Sequence, residues 1–220
     1  VRRTSGTGVV SKHVEYFDAV FEENTPLDKA RFLDASVDLL SAVRTRYVSG
    51  LAHLEGQTVR VLSDGRNAGD YVVNSGQAII ALALVGNRIV AGLPYTSTLK
   101  TNNFEIGDPE GSSQGKTRRI TRVTARLQRS LGGQMGVSFA TPRYQGTEGA
   151  SLSLIEYDPS DSEAYVKDGY TAWLATAFTG DVRMPVNSSW GPQSVVEVST
   201  SEPLPLTVVA LIPEFSGSNR

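Results

Sequence analysis

Seventeen residues, QGKTRRITRVTARLQRS at 114–130, carry six cations and no acid. The cations are Lys116, Arg118, Arg119, Arg122, Arg126 and Arg129. Cations at this density have two kinds of chemistry. They neutralise phosphates and release counterions, or they meet carboxylates, bidentately where the geometry of arginine allows. The formal net charge of the chain is −2, so everything outside this stretch sums to −8. Charge is sorted along the chain, which points to an oriented surface rather than to a polycation.

Other chemistry is sparse. The chain has no cysteine. That removes disulfides, thiolate catalysis and cysteine-ligated metals, and it leaves the compartment open. Of the two histidines, His53 lies in LAHLEG and His13 in SKHVEYF. Neither has further ligands at metal-binding spacing. His53 is expected to be a turn histidine bonded to a backbone group, and His13 to face solvent on a strand. Asp158, Asp161 and Glu163 in YDPSDSE lack the oxygen-ligand pattern of a calcium loop, and Asp-Pro favours a turn instead. GDPEGSSQGKT ends like a phosphate loop but has three residues between Gly111 and Gly115 where that loop has four. No G-x-S-x-G elbow supports a nucleophile. No cofactor is expected. Trp173 in TAWLATAF is expected in a core, whereas Trp190 in NSSWGPQ lies in a loop and is a candidate interface anchor.

The basic stretch needs an element to aim it. Ile120, Val123, Leu127 and Leu131 fit helical spacing, while Val123, Ala125 and Leu127 alternate with Arg122, Thr124 and Arg126 as in a strand. The strand is favoured by the threonines and by Gly132-Gly133, which ends the run like a hairpin corner. It places Arg122 and Arg126 on one face with Thr124 between them.

Around that strand the rhythm is β throughout. Turn signals recur at SDGR, NSGQ, VGNR, LGGQ and KDGY, with short β-branched or aromatic runs between them. The expected fold class is all-β, built of short-stranded sandwich or barrel units with long loops and little helix. QTVRVLSDG, GDYVVN, QAIIALAL and NRIVAGL make four strands within 57–93, with Asp64-Gly65 as a hairpin turn. Each is too short to stand alone, so they are expected to close on one another. Val59 and Val61 should point one way, and Thr58, Arg60 and Leu62 the other. PLDKARFLDASVDLLSAV (26–43) has helical appeal, with Pro26 suited to a first turn, although FLDASVDL also alternates. LTVVALIPEF is apolar enough for a central strand. The expected organisation is an extended N-terminal segment (1–50) attached to the main β domain, a small barrel-like subdomain (51–93) and a main β-sandwich (94–220). No apolar run approaches the ~20 residues that span a bilayer, so no membrane insertion is expected. VRRTSGTGVVSK does not have the form of a signal peptide. The chain does not begin with Met, which fits processing or a piece of something longer.

The order of several segments carries a resemblance. SGLAHLEGQTVRVLSDG is followed by VGNRIVAGLPYTSTLKT, then QGKTRRITRVTARLQRSLGGQMG, then PLPLTVVALIPEF. Over roughly residues 31–215, this series resembles the C-terminal part of tail proteins of short-tailed bacteriophages, those called tail tubular protein B or the tail nozzle. The match is weaker across 137–200. The resemblance implies a non-catalytic virion component. It implies a homo-oligomer, a six-copy ring enclosing the channel through which DNA passes transiently. Its partners would be other tail proteins such as the adaptor and the tail fibre. It supplies no catalytic residues. A conduit must release DNA, and tight phosphate contact opposes release. Contact of the basic face with an acidic surface of a neighbouring subunit or of another tail protein is therefore favoured over a solvated face and over DNA binding. The polar loops 107–116 and 186–193 are further candidates for ring contacts. Other readings are a tail sheath or sleeve component, and a host-glycan-binding module using Trp190, Tyr144 or Tyr170. A small hydrolase is disfavoured for want of an organised nucleophile.

Overall fold

A computed structural model describes residues 2–4, 8–12, 14, 25–81, 84–104, 107–108, 111–112, 118–138, 152–153, 164–167, 170–173, 177–186, 190 and 195–217. The chain is all-β. Among the described residues, helix is confined to short 3-10 turns such as Leu27–Lys29 and Ala52–Leu54. No helix there is long and apolar enough to cross a membrane.

In chain order the strands begin with β1 (Arg2–Thr4), β2 (Val10–Lys12), β3 (Asp34–Thr45), β4 (Tyr47–Val48) and β5 (Thr58–Ser63). Next come β6 (Arg66–Val72), β7 (Ala78–Ile79), β8 (Gly86–Leu93), β9 (Ser97–Lys100), β10 (Gly107–Asp108) and β11 (Gly111–Ser112). The remainder are β12 (Arg118–Ser130), β13 (Gln134–Ser138), β14 (Leu152–Ser153), β15 (Ala164–Lys167), β16 (Tyr170–Trp173), β17 (Phe178–Pro185), β18 (Val195–Thr200) and β19 (Thr207–Gly217).

Two compact units result. The first comprises 1–95, 157–177 and 202–205, and the second 96–156, 178–201 and 206–220. The first holds an antiparallel sheet of order β3-β8-β5-β6 and the two-stranded ribbon β4-β7. Val48 of β4 and Ala78 of β7 share a core with Val59, Val61, Ile89 and Ala91 of the sheet. Full burial of side chains such as Val59 or Ile89 stabilises by about 1.5–3 kcal/mol each. The Asp64-Gly65 turn has φ of 49° and 81° and joins the directly paired Ser63 and Arg66. Two positive φ values in a two-residue loop match the right-handed strand twist. The Asp64 carboxylate accepts N–H bonds from Asn87 (3.1 Å) and Arg88 (2.8 Å), which ties the turn to β8. Val59 and Val61 are buried as alternation requires, but so is Leu62. Its pairing with β8 is unbroken, so Leu62 keeps the opposite face and is buried there opposite the equally buried Val90.

Two expectations change here. The helical appeal of 26–43 is spent in one 3-10 turn, and Asp34–Thr45 is a strand. Where the sequence attached 1–50 to the C-terminal β domain, β3 instead pairs with β8 of the first unit. Pairing with a distant strand outweighs a weak local helix preference.

The second unit holds two sheets, of order β17-β12-β19 and β14-β13-β18-β9. Ile120, Val123, Ala125 and Leu127 of β12 pack with Met184 after β17's midpoint and with Met135, Val196 and Val198 of the other sheet. One core between two sheets makes this unit a sandwich. Gly132 and Gly133, at φ of 64° and 86°, carry the chain from β12 in one sheet to β13 in the other. They form a corner between layers rather than a hairpin. β19 was expected to be central, yet it is an edge strand and β12 is the central one. Val209, skipped at the register shift, and Ile212, opposite Thr124 on the open face, are exposed in spite of their apolarity.

Candidate interaction surface

β12 alternates as its sequence demands. Val123, Ala125 and Leu127 are buried, while Arg122 and Arg126 are exposed with Thr124 between them. The register then decides what each arginine meets. Arg126 lies opposite Asp181 of β17. Its Nε donates to Oδ1 at 2.8 Å and its Nη2 to Oδ2 at 2.9 Å, a bidentate pair. The hydrogen bond from Arg126 holds the Asp181 carboxyl below its usual pKa, and the same bond raises the Arg126 guanidinium. Arg122 lies opposite Glu214 of β19 and donates to it through Nη1 at 3.5 Å. Arg183 of β17 donates to the other Glu214 oxygen at 2.5 Å. Arg183 is opposite Thr124, so its side chain reaches across the central strand above that short residue.

The other cations of the basic stretch have different fates. Arg118 is only 4% exposed, and its guanidinium carbon sits 5.4 Å from the centroid of the Phe215 ring. It belongs to the packing of the sheet and not to its open face. Arg119 is half-buried. Arg129 is half-buried with φ of 44°, beside a register shift, and its N–H bonds Thr179 Oγ1 at 3.0 Å. Lys116 lies outside the described residues. Trp190 is 48% exposed, with its immediate neighbours on both sides outside the described residues. Of the 107–116 loop, Gly107–Asp108 pairs with Gly111–Ser112 and the rest lies outside the description. His13, Tyr144, Asp158, Asp161 and Glu163 also lie outside it, as do the side chains of Tyr170 and Trp173. Asp181, Arg183 and Glu214 were missed from sequence. The alternation of Asp181 and Arg183 with Val182 and Met184 was the signal that could have found the first two.

The motifs of the first unit also resolve into specific contacts. His53 Nε2 is 2.9 Å from the Ala35 carbonyl oxygen. Glu55 accepts N–H bonds from Ser75 (2.9 Å) and Gly76 (2.7 Å), fixing the following turn. Arg31 and Arg88 both donate to the Asp38 carboxylate. Residues 35 and 36 bulge opposite Gly92, since Asp34 pairs with Leu93 and Val37 with Ala91. A Cβ on Gly92 would lie 2.7 Å from the Asp34 oxygen and 2.9 Å from Ser36 Cα. HLEGQTV and GLPYTS therefore meet at one bulge, through His53 and Gly92.

No family model and no curated protein matches this chain. Among the described residues, no group of three or more His, Asp or Glu side chains could hold a metal ion. What the geometry does present is a charged sheet face whose Arg122, Arg126 and Arg183 are engaged with carboxylates. Such a face suits contact with another protein surface better than capture of a phosphate backbone, because each guanidinium's charge is partly spent.

Proposed function

We propose that this chain is a structural, non-catalytic part of a phage tail, contributing to a six-copy ring around the channel through which DNA leaves. The observation that carries the reading is the ordered series HLEGQTV, GLPYTS, QGK with its basic strand, and PLPLTVVALIPEF. The contacts of these motifs support it. His53, Glu55 and Asp64 each bond backbone groups, as building-block residues do. Arg122 and Arg126 hold carboxylates of their own chain, which weakens phosphate affinity and suits a conduit that must let DNA pass. The adaptor and the tail fibre are the expected neighbours, and the virion is the expected location. Electron microscopy of purified particles carrying a tagged copy tests the reading. Density for the tag in a ring at the tail supports it, a helical array along a tube favours a sheath or sleeve, and particles lacking the chain refute both.

A second reading rests on Trp190. Half-exposed indole is a common platform for sugar rings, so a glycan array with the purified chain is the discriminating measurement. Saturable glycan binding lost in Trp190→Ala would favour a host-binding module.

A further inference from the structure

We propose that the open edge of β17 pairs with β17 of a second copy of this chain, antiparallel and about a two-fold axis at Val182. The inference goes beyond the assembly reading above, because a two-fold contact is not the head-to-tail contact that a ring requires.

The register fixes which backbone groups of β17 are available. Among the described residues, β17 has β12 on one side and no strand on the other. Pro185 lies opposite Arg122 and has no N–H, so these two cannot exchange a pair of backbone bonds. The Val186 N–H donates instead to the Thr121 carbonyl oxygen at 3.2 Å. Alternation then gives Met184 and Val182 the bonds to Val123 and Ala125. It turns the N–H and C=O groups of Asp181 and Arg183 away from β12, toward the open edge. Both residues are exposed. Such a row of backbone donors and acceptors is a template for another strand.

The charges beside that row choose its occupant. Asp181 and Arg183 flank Val182 on the open face, one acid and one base, with side chains 44% and 58% exposed. A two-fold axis at Val182 sets Asp181 opposite the partner's Arg183, and Arg183 opposite the partner's Asp181. These are the positions whose backbone groups face the edge, so each pair exchanges both N–H···O=C bonds. Opposite charges directly across a strand pair stabilise it, and like charges oppose it. Moving the axis one residue either way keeps the bonding pattern but sets Asp181 against its own copy, or Arg183 against its own. Parallel in-register pairing brings both like pairs together. Repulsion therefore removes the alternatives that attraction alone would leave. Arg126 already holds Asp181 from the β12 side, and a carboxylate has lone pairs for a second guanidinium. On the other face, Val182 meets the partner's Val182 beside the core that it borders. Pro185, whose missing N–H would interrupt a longer ladder, falls at the ladder's end opposite the partner's Thr179. The other edge of this sheet, β19, carries Pro213 in mid-strand and is the poorer template.

Sedimentation velocity of the whole chain, at concentrations up to about 0.5 mM, reads the association, since small contacts are weak. A dimer is expected. Hydrogen exchange locates the contact: the Asp181 and Arg183 amides should exchange about threefold or more slowly in concentrated than in dilute wild type. Asp181→Arg alone sets arginine against arginine, and Arg183→Asp alone sets acid against acid. Each variant should dimerise about tenfold or more weakly than wild type. Mixed in equal amounts, the two variants should form a heterodimer, because both cross-strand pairs are then opposite in sign. Circular dichroism checks that the variants fold, which exposed ion pairs permit. The exchange measurement needs no variant, so it decides the matter even where a substitution unfolds the chain. A wild type that stays monomeric overturns the proposal, as does association that leaves both amides exchanging at an unchanged rate. Folded single variants that each dimerise as well as wild type, or a mixture no better than its parts, overturn it too. None of these outcomes touches the ring reading, which is tested on particles.

Discussion

His53 Nε2 lies 2.9 Å from the carbonyl oxygen of Ala35, and Ala35 sits in the left-handed region at φ of 49°. The bond joins the 3-10 turn Ala52–Leu54 to the bulge of β3, eighteen residues earlier. His53→Ala should therefore lower stability by about 1–2 kcal/mol, the cost of a lost hydrogen bond and a stranded carbonyl. Ala35→Gly should raise it by up to about 1 kcal/mol by removing the left-handed penalty. Urea midpoints of both variants check the pair, and a stabilised His53→Ala would show that the contact contributes nothing.

Gly92 faces the same bulge. A methyl group there would press on the Asp34 carbonyl and Ser36 Cα, both backbone atoms with little room to move. Gly92→Ala is expected to cost about 1–3 kcal/mol, as overpacking does. Thermal unfolding measures it, and an unchanged midpoint would mean that β3 can shift away from β8 freely.

The Asp64 carboxylate is the acceptor for two backbone N–H groups of β8. Asp64→Ala leaves both to find water, with an expected loss of about 1–3 kcal/mol. Asp64→Asn keeps one side-chain oxygen and should fall between wild type and alanine. Hydrogen exchange gives the local readout: the Asn87 and Arg88 amides should exchange faster in Asp64→Ala, and equal rates would contradict the assignment.

Arg60 donates to Asp70 through Nε at 2.6 Å and Nη2 at 2.9 Å. The hydrogen bond from Arg60 holds the Asp70 carboxyl below its ordinary pKa, outweighing the opposing effect of desolvation. A depressed folded-state pKa contributes stability above the unfolded carboxylate value, and that contribution is lost as pH falls through the folded value. Arg60 is shifted the other way, upward, so its share persists through neutral pH. Asp70→Asn should cost roughly 0.2–1 kcal/mol at pH near 7, in line with exposed pairs. The gap between the variant and wild type should close on acidification below the ordinary carboxylate range. Denaturation midpoints across that range test it, and a gap that widens in acid would reverse the sign argued here.

Much of this was legible in the residues themselves. The β-branched runs and regularly spaced turns specify an all-β chain, and Asp64-Gly65 specifies its hairpin by the positive φ values the pair tolerates. The alternation from Arg122 to Leu127 by itself put two arginines on the wet side of a strand. These are local properties, decided by neighbours within a turn or a strand. Residues 26–43 show where locality ends: the same letters suit a helix or a strand, and only β8, more than forty residues on, chose.

Tertiary structure alone decided which acids the arginines meet. Asp181 and Glu214 lie 55 and 92 residues beyond Arg126 and Arg122, respectively, and strand register brings them together. It also buried Arg118 against Phe215 and left apolar β19 at a sheet edge. Composition states how much charge a chain carries; the pairing of distant strands states where each charge points, because register is set by the whole buried face at once.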